Sequence, residues 1–202
     1  MPEVRAGVAE SLSNPIGQGP IRRALFVDRD GTINPDLHYL KDADRVELLR
    51  GVGNALARAH DHGLLVVCVT NQSGVGRGFY SAEDVERIHS RLNQLLLAER
   101  TKIDAFYYCP HAPDAGCPCR KPGTGLFDDA RRDWNIDFAS SAIVGDRALD
   151  IEAGRKLGLL TGLVVPHHHE EEVAKELADR AIVPDIAAPT FESAVLRILA
   201  RG

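Results

Sequence analysis

No apolar run in this chain approaches the roughly 18 residues needed to cross a bilayer, so a membrane partner is not expected. Blocks of positive charge are missing as well. Lys and Arg number 24 against 29 Asp and Glu, a net charge of −5. A nucleic-acid binder needs a basic footprint, so a polymeric acidic partner is disfavoured. Internal repeats, low-complexity tracts and a convincing linker after residue 20 are also lacking, which leaves one domain over 21–202. Residues 1–20 lack the apolar core of a signal peptide and are rich in Gly, Pro, Ser and Asn. They read as a flexible extension, and the expected location is the cytoplasm. What remains, 44% hydrophobic and 26% charged, is the composition of a soluble globular protein, expected to act as a monomer.

Short apolar runs recur at 24–27, 64–69, 105–108, 142–144 and 159–165, each of strand length. Between them lie helical patterns at 52–62, 82–98, 125–134, 148–157, 170–180 and 191–200, the second opening on an N-cap at Ser81. Alternating strands and helices predict an α/β fold, with a Rossmann-like, doubly wound and mostly parallel sheet covered on both faces.

The first run ends in Asp28-Arg29-Asp30-Gly31-Thr32, and the fourth in Gly145-Asp146 with Asp150 one helical turn on. Ligands in open α/β sheets bind outside the carboxyl ends of the strands. Carboxylates converging there hold Mg²⁺, and one of them can attack phosphorus. Asp28 and Asp30 divide the tasks of nucleophile and proton donor. The second run ends in Thr70-Asn71-Gln72-Ser73, whose hydroxyls and amides can donate to a phosphoryl group. Lys121, between the third and fourth runs, supplies a compact cation. A lone Asp-x-Asp reads as a solvated turn, whereas four stations in order, each behind a strand, form a constellation.

These motifs resemble the haloacid dehalogenase superfamily of aspartyl phosphatases, over about residues 22–165. The resemblance implies that Asp28 attacks phosphorus and that Asp30 protonates the leaving oxygen and then activates water. It further implies that Asp28, Asp146 and the backbone carbonyl of Asp30 ligate Mg²⁺, while Thr70 and Lys121 steady the phosphoryl group. Members often carry a cap domain. Here 39 residues separate Asp30 from Thr70 and 50 separate Thr70 from Lys121, which leaves no room for one.

Cys109-x-His111-x₅-Cys117-x-Cys119 offers three thiolates and an imidazole, a closed tetrahedral set for structural Zn²⁺. One disulfide plus a free thiol is the other reading. Zinc would fix a loop that leads directly into Arg120 and Lys121. Cys68, inside an apolar run, reads as a small buried hydrophobe. With its zinc loop the chain resembles the capless branch that contains heptose-1,7-bisphosphate 7-phosphatases and histidinol phosphatases. Residues 70–79, Thr-Asn-Gln-Ser-Gly-Val-Gly-Arg-Gly-Phe, are similar to the heptose enzymes, while the short zinc loop and Arg147 are similar to the histidinol enzymes. In this branch Asp36, Leu37, His38, Tyr39, Asn71, Gln72, Ser73, Arg120 and Arg147 are implied to contact the substrate. Arg120 and Arg147, with Arg77 a further candidate, offer more cation than one monoester needs, which suits a small sugar bearing two phosphates. Nucleic-acid 3′-phosphatases and a non-catalytic zinc-stapled binding module are the weaker rivals. The run 74–78 reads as a flexible turn, and His167–His169 as a solvated loop.

Overall fold

The central strands of the sheet are largely apolar along both faces, because helices cover both sides of it. The computed structural model describes residues 19–165 and 170–201, so residues 1–18 of the expected N-terminal extension and His167–His169 lie outside the described residues. Six strands, β1 (Arg23–Val27), β2 (Leu64–Asn71), β3 (Ala105–Cys109), β4 (Ala142–Gly145), β5 (Leu160–Val164) and β6 (Ile186–Ala188), form one sheet. Their order is 3-2-1-4-5-6 and every pairing is parallel. Helices α1 (Val52–Asp61), α2 (Ser73–Gly76), α3 (Ala82–Ala98), α4 (Gly125–Trp134), α5 (Ala148–Leu157), α6 (Glu170–Asp179) and α7 (Phe191–Leu199) connect and cover them.

The period-2 alternation of β1 sorts the core. Leu25 and Val27 pack with α1, α3 and α7, whereas Ala24 and Phe26 pack with α4 and α5 on the other face. Cys68 is buried in the first of these clusters. Ser81 starts α3 through a capping box, in which Asp84 N–H donates to Ser81 Oγ and Ser81 N–H donates to Asp84 Oδ2. Helix α5 stops at Gly158, whose left-handed φ of +73° a residue with a Cβ adopts only at a cost.

Two elements differ from the sequence reading. Strand β6 has only three residues at the sheet edge, too few for a recognisable alternation. The turn expected after β2 begins with a four-residue helix, α2, tied down by Gly76 N–H donating to Pro110 O at 2.7 Å. Between β1 and β2 the chain forms one 3₁₀ turn and α1, and between β2 and β3 it forms α2 and α3. Neither connection holds a separate cap. Among the described residues no helix is long and apolar enough to cross a membrane.

Candidate active site

The strand order reverses between β1 and β4, and the crevice outside their carboxyl ends is where such sheets bind ligands. An open cavity of about 320 Å³ lies there, lined among others by Asp28, Asp30, Thr70, Lys121, Asp146 and Asp150. The register sets the two key carboxylates side by side: Asp28 N–H donates to Val144 O at 2.9 Å, one strand over and two residues before Asp146. Gly31 has φ +81°, and a Cβ there would stand 2.2 Å from Asp146 Oδ2. A glycine is therefore what lets the β1 turn close over Asp146. The adjacent Thr32 hydroxyl then donates to Asp146 Oδ1 at 3.0 Å.

Lys121 is 3% exposed and its ammonium has three donors. They reach Asp28 Oδ1 at 2.6 Å, Asp150 Oδ1 at 2.6 Å and Val69 O at 2.7 Å. Burial alone would lower the ammonium pKa, but Asp150 and then Asp28 hold it above its ordinary value. Even so, burial pushes the Asp28 carboxyl up to about 6 against the pull of Lys121. Burial and then the Asp28 charge push Asp146 well above the usual carboxylate range. Oxygens of Asp28, Asp146 and Asp150 lie within 4.8 Å of one another. Three carboxylates against one ammonium leave a surplus of negative charge on hard oxygen donors, a donor set that fits Mg²⁺. Asp150 spends Oδ1 on Lys121 and Oδ2 on Arg147 N–H, at 3.1 Å, so Asp28 and Asp146 are the carboxylates left for an ion.

Asp30 points elsewhere. Burial would raise its carboxyl, but the Arg29 guanidinium overrides that and holds it below the usual range. Arg29 is 1% exposed, with Nη2 2.7 Å from Asp30 Oδ2. Asn34 Nδ2 donates to Oδ1 at 2.9 Å and Gln72 Nε2 to Oδ2 at 2.9 Å. Arg29 sits inside the sequence motif, yet its role there was not legible, since a charged residue between two aspartates ordinarily faces solvent.

The Cys109, Cys117 and Cys119 sulfurs are free and 3.2–3.5 Å apart, with His111 Nδ1 3.2 Å from Cys119 Sγ. A disulfide would need about 2.05 Å. Four donors around Zn²⁺ at about 2.3 Å would hold sulfurs about 3.7 Å apart, so the set fits that ion. The loop is stapled at both ends to the end of β2. Gln72 N–H donates to Cys109 O at 2.8 Å, and the Asn71 side chain clasps both backbone groups of Lys121, at 3.0 and 3.2 Å.

A HAD-hydrolase-like family model matches residues 118–193. The D-glycero-beta-D-manno-heptose-1,7-bisphosphate 7-phosphatase of Haemophilus ducreyi is 39% identical over 71% of this chain and 83% of its own length. The D-glycero-alpha-D-manno-heptose-1,7-bisphosphate 7-phosphatase of Burkholderia mallei is 34% identical over 83% of this chain and 95% of its own. The chain belongs to the haloacid dehalogenase superfamily of phosphatases. A crystal structure of the D,D-heptose 1,7-bisphosphate phosphatase from B. bronchiseptica, complexed with magnesium and phosphate, superimposes with a TM-score of 0.77. It has 30% identity and covers 89% of this chain and 99% of that one.

In this phosphatase Asp36, His38, Tyr39, Ser73, Arg120 and Arg147 also line the cavity, as do Asn71 and Gln72. Leu37 and Arg77 are not among the lining residues. His38 and Tyr39 both have positive φ, at 45° and 49°, which turns the rim loop so that the Tyr39 ring meets Phe79 edge-on at 4.6 Å. Arg147, expected to meet substrate, is paired with Glu176 and lies 3.8 Å from Glu172. Asn71 and Gln72, also expected to do so, have their amides bonded to Lys121 and to Asp30. The sequence places these residues at the site, but a strand-end motif does not reveal which polar atoms partner one another.

Proposed function

We propose that this phosphatase removes the 7-phosphate of D-glycero-D-manno-heptose 1,7-bisphosphate, through a phosphoryl group carried transiently on Asp28. The observation that carries the reading is the carboxylate surplus at the end of β1 and β4, where Asp28 and Asp146 stand together beside Lys121. The substrate rests on the names of the relatives that align along most of their lengths, and on Arg120 in the cavity lining. Asp28 and Asp146 would hold Mg²⁺, with the backbone carbonyl of Asp30 as a further ligand. When bound, Mg²⁺ neutralises charge so that a carboxylate and a phosphate can approach each other. Cys109, His111, Cys117 and Cys119 would hold a structural Zn²⁺.

Asp28 attacks phosphorus as the bond to the sugar oxygen breaks, and Asp30 delivers a proton to that oxygen. Water then gives its proton to Asp30 and attacks the same phosphorus, which frees Asp28 and inorganic phosphate. Asp30 rests as a carboxylate, so it takes up its proton when the anionic substrate arrives and raises its pKa. For Lys121 to steady the phosphoryl group, that group must take over one of its three present partners. All of these side chains come from one chain, which in this reading works as a monomer in the cytoplasm.

Phosphate release from both anomers of the heptose bisphosphate and from histidinol phosphate, side by side with Mg²⁺, tests the substrate. The expected result is a kcat/KM at least about ten-fold higher for one heptose anomer. Preference for histidinol phosphate, the second reading, would show that the short loop between His111 and Cys117 and the presence of Arg147 were the better guides.

A further inference from the structure

Tyr80 lines the cavity, 8% exposed, and has no part in the reaction described above. Its hydroxyl is 2.7 Å from Gln72 Oε1. Arg29 Nη2 is 3.0 Å from the same oxygen. A guanidinium only donates, so the Gln72 atom facing Arg29 is the carbonyl oxygen. A carbonyl oxygen only accepts, so Tyr80 is the donor. The Gln72 amide is thereby fixed in one orientation, and Nε2 faces Asp30 Oδ2 and Thr70 Oγ1, each at 2.9 Å.

Each carboxylate oxygen offers two lone pairs. On Asp30, Arg29 Nη2 at 2.7 Å and Gln72 Nε2 at 2.9 Å occupy those of Oδ2. Oδ1 meets Asn34 at 2.9 Å, and Arg29 Nε is shared between the two oxygens, nearer to Oδ2 at 3.1 Å than to Oδ1 at 3.2 Å. The two oxygens are therefore unequal, one anchored and one with capacity to spare.

We propose that Tyr80 is a positioning residue for proton transfer: with Arg29 it locks the Gln72 amide, which anchors Oδ2 of Asp30 and leaves Oδ1 to carry the mobile proton. The same amide ties Asp30 to Thr70, so acid and phosphoryl partner move as one unit. The proton goes from Oδ1 to the ester oxygen as the P–O bond breaks, and a proton from water returns to Oδ1 in the second half. This rests on the reading of Asp30 as the acid.

The test compares kcat/KM for the preferred sugar phosphate and for 4-nitrophenyl phosphate, both saturated with Mg²⁺. The alkoxide leaving group needs a proton and the nitrophenolate does not. Tyr80→Phe removes one hydroxyl and is expected to lower the sugar-to-aryl ratio by about ten-fold, the scale of one lost hydrogen bond. Gln72→Leu should lower the ratio further, and Asp30→Asn furthest of all. Equal losses on both substrates for Tyr80→Phe and Gln72→Leu, or no loss, would overturn the inference and mark the network as structural. Equal losses for Asp30→Asn as well would overturn the reading of Asp30 itself, so the two failures are told apart.

Discussion

At the edge of the sheet where the strands begin, Asp104 accepts from Val66 N–H at 2.9 Å and lies 2.9 Å from His60 Nε2. Asp185 accepts from the backbone and hydroxyl of Thr161 at 2.9 and 2.6 Å. Burial alone would raise both carboxyls, but these partners override it and hold them below the usual range. At the opposite edge, where the strands end, Asp28 and Asp146 lie above that range because burial, with repulsion from neighbouring carboxylates, Asp150 among them, outweighs Lys121. The same residue type is a satisfied pin at one end and an unbalanced charge at the other. Perturbed pKa values gather where chemistry needs them, and the difference marks the working end of the sheet.

The largest loss is expected at Asp28. Asp28→Asn should abolish phosphate release, by a factor on the order of 10⁴ or more, because an amide cannot serve as the nucleophile. Far-ultraviolet circular dichroism should stay that of the native protein. Gly31→Ala comes next. A methyl group aimed at Asp146, on a backbone at φ +81°, is expected to lower kcat about a hundred-fold and to reduce melting temperature by a few degrees.

Removing zinc extends the comparison to the loop that delivers Lys121. Metal analysis should find about one Zn²⁺ per chain, and Cys119→Ser should lose it, lower the melting temperature by about 10 °C and slow turnover several-fold. A variant with unchanged stability and activity would remove zinc from the account. The smallest effect belongs to the quiet end. Asp104→Asn should cost about 1–2 kcal/mol at pH 7 with kcat untouched. A carboxyl held below its unfolded value of 3.8 gives stability that is present above that pH and lost as pH falls through the folded value. The gap between wild type and Asp104→Asn, read by thermal melting, should therefore close as pH falls below about 4.

The working end was also the more legible one in the sequence. Asp28, Asp30, Thr70 and Asp146 each sit at or just past the end of a strand that an apolar run announces, which brings them to one crevice, and Lys121 joins them through the loop after β3. Helices α3, α4 and α5 have the bounds that the sequence reading gives them, α3 opening on its Ser81 cap. Strand β6 escaped because Ile186-Ala-Ala carries no alternation, and α2 escaped because Ser-Gly-Val-Gly has poor helix propensity and is held by contacts distant in sequence. The networks around Arg29, Asn71 and Gln72 escaped for a similar reason. A polar side chain at a strand end has several partners within reach, and only packing selects among them.

Thermal melting of wild type and Asp28→Asn, each dialysed free of Mg²⁺ with zinc retained and then supplied with excess Mg²⁺, tests the unbalanced charge directly. Raising the Asp28 carboxyl to about 6 means that its ionised form costs stability above that pH, on the order of 2–3 kcal/mol, a cost that vanishes below 3.8. At pH 7 without Mg²⁺, Asp28→Asn should therefore melt no lower than wild type, and Mg²⁺ should raise wild type and leave the variant nearly unmoved. A variant that melts several degrees lower, beside a wild type indifferent to Mg²⁺, would contradict the account.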